Sequence, residues 1–158
     1  MRMEEIEILL VEDSSADAEL TMHALRKSAN VNHIHVLRDG EQALNFLFCL
    51  EMYQERARQP LPRLILLDLK LPKVDGLSVL RALKQDRRTR WIPVIVLTSS
   101  KEERDLTASY DLGANSYIQK PVDFDQFRET LHTLALYWLL VNQPPPRHFR
   151  TNCAEKPS

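Results

Sequence analysis

Glycine is scarce in this chain of 158 residues, which carries only Gly40, Gly76 and Gly113. Neither a GxGxxG dinucleotide turn nor a Walker-type phosphate loop can be written with them, so the common nucleotide-binding readings are excluded. Cysteine is scarcer still. Cys49 lies in an apolar stretch read as helical and Cys153 in a polar tail, which points to reduced thiols in a cytosolic protein rather than a disulfide framework. Long apolar runs are lacking as well: the longest, Leu134 to Val141, is under half of the about 20 residues that a membrane-spanning helix needs. The start, Met1-Arg-Met-Glu-Glu-Ile6, places acids where a secretory signal carries a basic region, so the expectation is a soluble, cytoplasmic protein with no membrane partner. A basic excess is also missing. Twenty-one Lys and Arg face 22 Asp and Glu, a net charge of −1 that offers no footprint for nucleic acid.

What is present is an alternation of short branched runs with helical patterns. Ile6 to Val11 reads as a buried strand closed by Glu12-Asp13 and by Ser14-Ser15, which suit a helix N-cap, with the helix over about 16–28 and Leu20, Ala24 and Leu25 on one stripe. His33 to Leu37 reads as a second strand, ended by Asp39-Gly40 before a helix through Ala43, Leu47 and Leu50. After a polar, proline-bounded break, Leu64-Ile-Leu-Leu67 runs unbroken into Asp68, the pattern of a central parallel strand. A third helix through Leu77, Leu80, Leu83 and Lys84, a fourth strand over 93–97, a charged helix stopping at Gly113, a short strand over 116–118 and a last helix over 123–141 complete the series. Parallel strands need crossover helices, and those crossovers are right-handed, so the class is a doubly wound α/β fold.

In such a sheet, ligands bind outside the carboxyl ends of the strands, at the point where strand order reverses. The residues there are Glu12, Asp13, Asp68, Thr98 and Lys120. Any one alone is unremarkable, since acids at strand ends are common and a single Thr or Lys is usually a cap or a solvated side chain. Together they are specific. Two carboxylates about 4 Å apart repel by roughly 4 kcal/mol at an effective dielectric of 20, so three of them with one lysine call for a divalent cation. Oxygen donors favour Mg²⁺ or Mn²⁺ over zinc. His33 and His35 share a strand face, but no Cys or Asp pattern completes a zinc site, and an exposed strand face is the plainer reading.

Val11-Glu12-Asp13, Leu66-Leu67-Asp68 with Pro72 and Asp75-Gly76, Leu97-Thr98-Ser99, and Tyr117 leading to Lys120-Pro121 resemble the receiver domain of two-component response regulators, the family of the chemotaxis response regulator. The resemblance spans about residues 5–141, leaving 142–158 as a proline-rich, poorly ordered tail. It implies a flavodoxin-like, five-stranded parallel sheet of order 2-1-3-4-5. It also implies that Asp68 is the phosphoacceptor for a sensor histidine kinase, and that Asp13, Asp68 and the backbone carbonyl of Lys70 ligate Mg²⁺ (or Mn²⁺), with Glu12 acting mainly through water. Lys120 then pairs with the phosphoryl group through a cis Lys120-Pro121 peptide. Thr98 moves toward the phosphoryl oxygen while Tyr117 swings from exposed to buried, an ordinary half-buried strand aromatic being the plainer alternative for that tyrosine. No cofactor beyond the metal is implied, and no enzymatic activity beyond self-phosphorylation and slow autodephosphorylation.

Between Asp13 and Asp68 the chain is longer than the compact chemotaxis receiver. The extra length falls in Glu51 to Pro62, which suggests an extended second helix and an enlarged exit loop, most simply a tolerated surface insertion, with a kinase-recognition feature as the alternative. That extension, the Leu67-Asp68-Leu69 core and Tyr137-Trp138 in the last helix are similar to the stand-alone regulators of cyanobacterial phytochromes, so a bacterial phytochrome is a candidate kinase. In the last helix Phe124, Phe127, Leu131, Leu134, Trp138 and Val141 form a core stripe, while Leu136, Tyr137, Leu139 and Leu140 add apolar surface outside it. A homodimer through the face of the fourth helix, fifth strand and fifth helix is the expectation, with cover by the tail as the alternative. Too few residues follow the last helix for an output domain, so signalling is expected through protein contacts with a downstream partner. A receiver fold that binds partners without phosphorylation is the rival reading. A phosphatase using an aspartyl phosphate is disfavoured, because Lys70 stands where such enzymes carry a second acid.

Overall fold

The computed structural model describes residues 6–28, 31–120 and 123–146. Five strands, β1 (Ile8–Val11), β2 (Ile34–Leu37), β3 (Leu64–Leu67), β4 (Val94–Thr98) and β5 (Ser116–Gln119), form one parallel sheet in the order β2-β1-β3-β4-β5. Between and after them run α1 (Ser15–Ser28), α2 (Gly40–Leu47), α3 (Gly76–Gln85), α4 (Glu103–Asp111) and α5 (Phe124–Ala135). The doubly wound class and strand order expected from the sequence are those observed. Among the described residues, no helix is long and apolar enough to cross a membrane.

Strand side chains alternate between faces, and this alternation sorts the core into two layers. Leu9, Val11, Ile65, Leu67, Val94 and Val96 pack under α2 and α3 against Phe46, Leu47, Leu80 and Leu83. The residues between them, Ile8, Leu10, Leu64, Leu66, Ile95 and Leu97, meet Ala18, Ala24 and Leu25 of α1 and Phe127 and Leu131 of α5. A strand covered on both faces must be apolar at every position, which is why β1, β3 and most of β4 read as unbroken runs. α2, α3 and α5 each begin at an aspartate whose side chain accepts an N-terminal amide: Asp39 from Gln42, Asp75 from Ser78, and Asp123 from Asp125 and Gln126. α4 stops where the charged pattern suggested. Gly113 takes a φ of +102°, and its N–H bonds the Tyr110 carbonyl at 3.0 Å while Ala114 reaches Ser109 at 2.9 Å.

Several expectations need correction. The second helix is not extended. It ends at Leu47, and the added length forms a separate 3-10 segment, Glu51–Arg58. Cys49 and Glu51 both have positive φ (54° and 51°), a backbone state that interrupts a right-handed helix. Arg56 fastens this segment back onto α2, with its guanidinium 3.5 Å from the Phe46 ring centroid and donating to the Phe46 carbonyl at 2.9 Å. Cys49 is disulfide-bonded rather than a reduced thiol. His35 is no solvent-facing histidine: its ring stacks on Phe46 with centroids 4.6 Å apart, while His33 precedes the strand. Leu20 faces outward, and Thr21 takes the buried place on α1.

The last helix changes winding. Beyond Ala135 it continues as a π-helical stretch, Leu136–Val141. A wider turn rotates each later side chain away from its place on a 3.6-residue wheel. Leu139 is therefore buried and Val141 exposed, the reverse of the stripe expected, and Phe124 is exposed at the other end. Leu136, Tyr137 and Leu140 are exposed as anticipated. The Lys120-Pro121 peptide and the tail beyond residue 146 lie outside the described residues.

Candidate functional site

The carboxyl ends of β1, β3, β4 and β5 converge by register. Val11 is paired with Leu67 and Leu67 with Val96, so the residues that follow, Glu12 and Asp68, emerge side by side. The Asp68 N–H donates to the Val11 carbonyl at 3.0 Å, and the Glu12 N–H to that of Leu37 at 2.9 Å. On the far side, Lys120 leaves β5 with its N–H bonded to the Thr98 carbonyl at 2.8 Å, which turns its side chain back over the strand ends. Gly76 closes the floor. Its N–H donates to the Leu69 carbonyl at 2.8 Å, and a β-carbon there would sit 2.3 Å from the Asp68 carbonyl oxygen, so only glycine fits without displacing the Asp68 backbone.

Carboxylate oxygens of Glu12, Asp13 and Asp68 all lie within 4.8 Å of one another, the first and last buried and Asp13 exposed. The Lys120 ammonium enters this group, 2.6 Å from Glu12, 2.9 Å from Asp17 and 3.4 Å from Asp68. Burial pushes the Glu12 carboxyl up to about 7 against the pull of the Lys120 hydrogen bond, and the neighbouring Asp68 charge adds to the rise. Burial alone would lower Lys120, but its bonds to Glu12 and Asp17 and the Asp68 charge hold it above the ordinary lysine range. The two partners therefore respond differently to one contact: the acids around it keep the ammonium charged at neutral pH, while burial works against the charge on the deeper carboxylate.

Four acids around one lysine leave an uncompensated negative pocket. Three clustered hard oxygen donors, with one carboxylate open to solvent, are the donor chemistry and access that a Mg²⁺-type cation requires. The Lys70 N–H lies 3.4 Å from Asp68 Oδ1, placing the Lys70 backbone beside the same carboxylate. Thr98 is fully buried, and its hydroxyl accepts from the Ser100 N–H at 3.3 Å. Tyr117 is half-buried rather than exposed, its hydroxyl donating to the Ser100 carbonyl at 3.2 Å. Both side chains thus meet at the loop that follows β4.

Sequence reasoning missed Asp17. It lies in the first turn of α1, four residues beyond Asp13, where Ser14 caps the helix by accepting the Asp17 N–H at 3.3 Å. A carboxylate one helical turn from a strand-end acid was the available signal.

Comparison with known proteins places the geometry in context. The family sequence profile described as the response regulator receiver domain matches residues 8–132. The chain is 44% identical over 138 residues to the probable methanogenesis regulatory protein FilR2 of Methanothrix harundinacea, covering 87% of this chain and 86% of that protein. Response regulator Rcp1 of Synechocystis is 42% identical over 132 residues, 84% of this chain and 88% of Rcp1. A crystal structure of Rcp1 in a Mn²⁺-bound form superposes with a TM-score of 0.79 at 40% identity, covering 88% of this chain and 98% of that one. The phosphorylated cyanobacterial phytochrome response regulator RcpA superposes with a TM-score of 0.81 at 37% identity, covering 90% of this chain and all of that one.

Proposed function

The chain belongs to the response regulator receiver domain family, and from that membership we propose that it is a phosphorylation switch in which Asp68 accepts a phosphoryl group from a sensor histidine kinase. The observation that carries this reading is the convergence of Glu12, Asp13, Asp68 and Lys120 at one end of the sheet. In the transfer, an Asp68 carboxylate oxygen attacks the phosphorus of a phosphohistidine. The new O–P bond forms as the N–P bond breaks, and the imidazole leaves with the bonding pair and takes a proton.

The acidic donor set fits a divalent cation, held by Asp13, Asp68 and the Lys70 carbonyl with Glu12 acting through water; Mg²⁺ is the expected ion and Mn²⁺ a substitute. When bound, such an ion neutralises charge on the transferring group. Lys120 supplies a second positive charge and pairs with a phosphoryl oxygen. The Thr98 hydroxyl, which accepts from the Ser100 N–H, moves to donate its own proton to a phosphoryl oxygen and so pulls on its Ser100 contact. Because Tyr117 is tied to the same Ser100, that movement reaches the face made by α4, β5 and α5.

Likeness to RcpA, a cyanobacterial phytochrome response regulator, supports a bacterial phytochrome as the kinase. Exposed Leu106 and Tyr110 on α4, with Leu136, Tyr137 and Leu140 beyond α5, support self-association as a homodimer and docking of a downstream protein. The test is acetyl phosphate with Mg²⁺, read by intact mass and peptide mapping. One phosphoryl adduct on Asp68, absent from Asp68→Asn and without Mg²⁺, is the expected result. No adduct on the wild type would favour a phosphorylation-independent interaction module. Sedimentation at high micromolar concentration, with and without phosphodonor, decides the dimer: monomer in both conditions removes it.

A further inference from the structure

Lys120 has three ammonium donors, and the structure shows where they go. Its two short contacts are to Glu12 (2.6 Å) and Asp17 (2.9 Å), and the longest, 3.4 Å, is to Asp68. The lysine is thus anchored mainly to acids other than the proposed phosphoacceptor. The anchors differ in what release would cost. Glu12 has 3% of its side chain exposed, so an ionised Glu12 left without its lysine is a buried, unpaired charge. Asp17 is 43% exposed and stands in the first turn of α1, where water and the helix N-terminus both stabilise a free carboxylate.

We infer that Asp17 is a positioning residue: it holds Lys120 in the unphosphorylated arrangement and is the partner that Lys120 gives up when a phosphoryl group arrives on Asp68. This rests on Asp68 as phosphoacceptor and adds what that reading lacks, a competitor for the lysine. Asp17 sets how readily the switch turns on. Its charge favours the off state because the Lys120–Asp17 pair exists only there, and a ligand shifts a two-state balance by the difference in what it meets in each state.

The test is binding of fluoroberyllate, a stand-in for a carboxyl-bound phosphoryl group, in saturating Mg²⁺, measured by calorimetry. Asp17→Asn should bind it about two- to fivefold more tightly than wild type, the range that a half-exposed ion pair is worth. Glu19→Gln, the same charge change at an exposed position on the same helix, should leave the affinity near wild type. Asp17→Glu, which restores the carboxylate, should return it toward wild type. Phosphoryl lifetime, read separately after acetyl phosphate labelling, should lengthen in Asp17→Asn alone. Equal or weaker binding by Asp17→Asn, or the same gain in Glu19→Gln, overturns the role of Asp17 while leaving Asp68 intact. A wild type that binds no fluoroberyllate overturns the phosphoacceptor reading, and this inference with it.

Discussion

Replacing Asp68 by Asn tests the crowding of acids directly, because it removes one charge while keeping the shape. At 4.8 Å, the outer limit for the three clustered carboxylates, each pair repels by about 3.5 kcal/mol at an effective dielectric of 20. Asp68 takes part in two such pairs and in one attraction to Lys120, which at 3.4 Å returns about 5 kcal/mol on the same scale. Repulsion exceeds attraction by about 2 kcal/mol at pH 8, and screening of the exposed Asp13 lowers this to about 1 kcal/mol. Metal-free Asp68→Asn should therefore melt about 2–4 °C above wild type at pH 8.

Magnesium should reverse the order. At a hundredfold excess over its dissociation constant, an ion that binds only the folded state adds about 2.7 kcal/mol, and wild type should show a rise of that size. Asp68→Asn, with one ligand charge fewer, should show much less. Differential scanning calorimetry with EDTA and with titrated Mg²⁺ measures both halves. A metal-free Asp68→Asn that melts below wild type refutes the repulsion argument, and an equal Mg²⁺ shift in both proteins refutes Asp68 as a ligand.

The remaining predictions address the pocket and its frame. In the metal-free protein Glu12 titrates near 7 when folded against 4.5 unfolded, so between those values the folded state binds the extra proton. Its contribution to stability should grow as pH falls from 7 toward 4.5, by up to about 1.4 kcal/mol per unit, while Mg²⁺ affinity falls over the same range because protons compete for the carboxylate. Urea melts and Mg²⁺ titrations at pH 6 and 8 check both signs. Gly76→Ala forces a β-carbon onto the Asp68 carbonyl and should cost about 1–3 kcal/mol in urea unfolding, with loss of acetyl phosphate labelling; wild-type behaviour in both would refute the tight approach. Lys84 donates to the carbonyls of Ile92 (2.8 Å) and Arg90 (3.2 Å) and to the Asn115 side chain (3.2 Å), joining α3 to the loops that enter β4 and β5. Lys84→Met should destabilise by about 2 kcal/mol, and a change below about 0.5 kcal/mol would remove that role.

The fold was legible because each layer obeys one period. Ile8 to Val11 and Leu64 to Leu67 are buried on both faces, and such runs have few places to go other than the centre of a parallel sheet. Legibility failed where the backbone left its period. Nothing local in Phe48-Cys49-Leu50-Glu51 marks a break, since the run lacks glycine and proline, yet Cys49 and Glu51 adopt positive φ and the helix stops. The wheel drawn for the last helix failed likewise at Ala135, where π winding carries Leu139 inward and Val141 outward.

At the site, what could be read was what strand register dictates. Glu12 and Asp68 follow paired residues of adjacent strands, so their meeting is a consequence of topology, and Lys120 enters as the residue after the edge strand. Asp17 and the Ser100 contacts of Thr98 and Tyr117 depend instead on side chains reaching across from a helix and a loop, which no strand pattern encodes. For the proposed phosphorylation switch, the division has a functional sense. The register-fixed residues make the chemistry possible and cannot shift without unmaking the sheet. In that proposal the contacts that register does not fix, Lys120 to Asp17 and Tyr117 to Ser100, are the ones that exchange partners, and a switch has to be built from contacts of that kind.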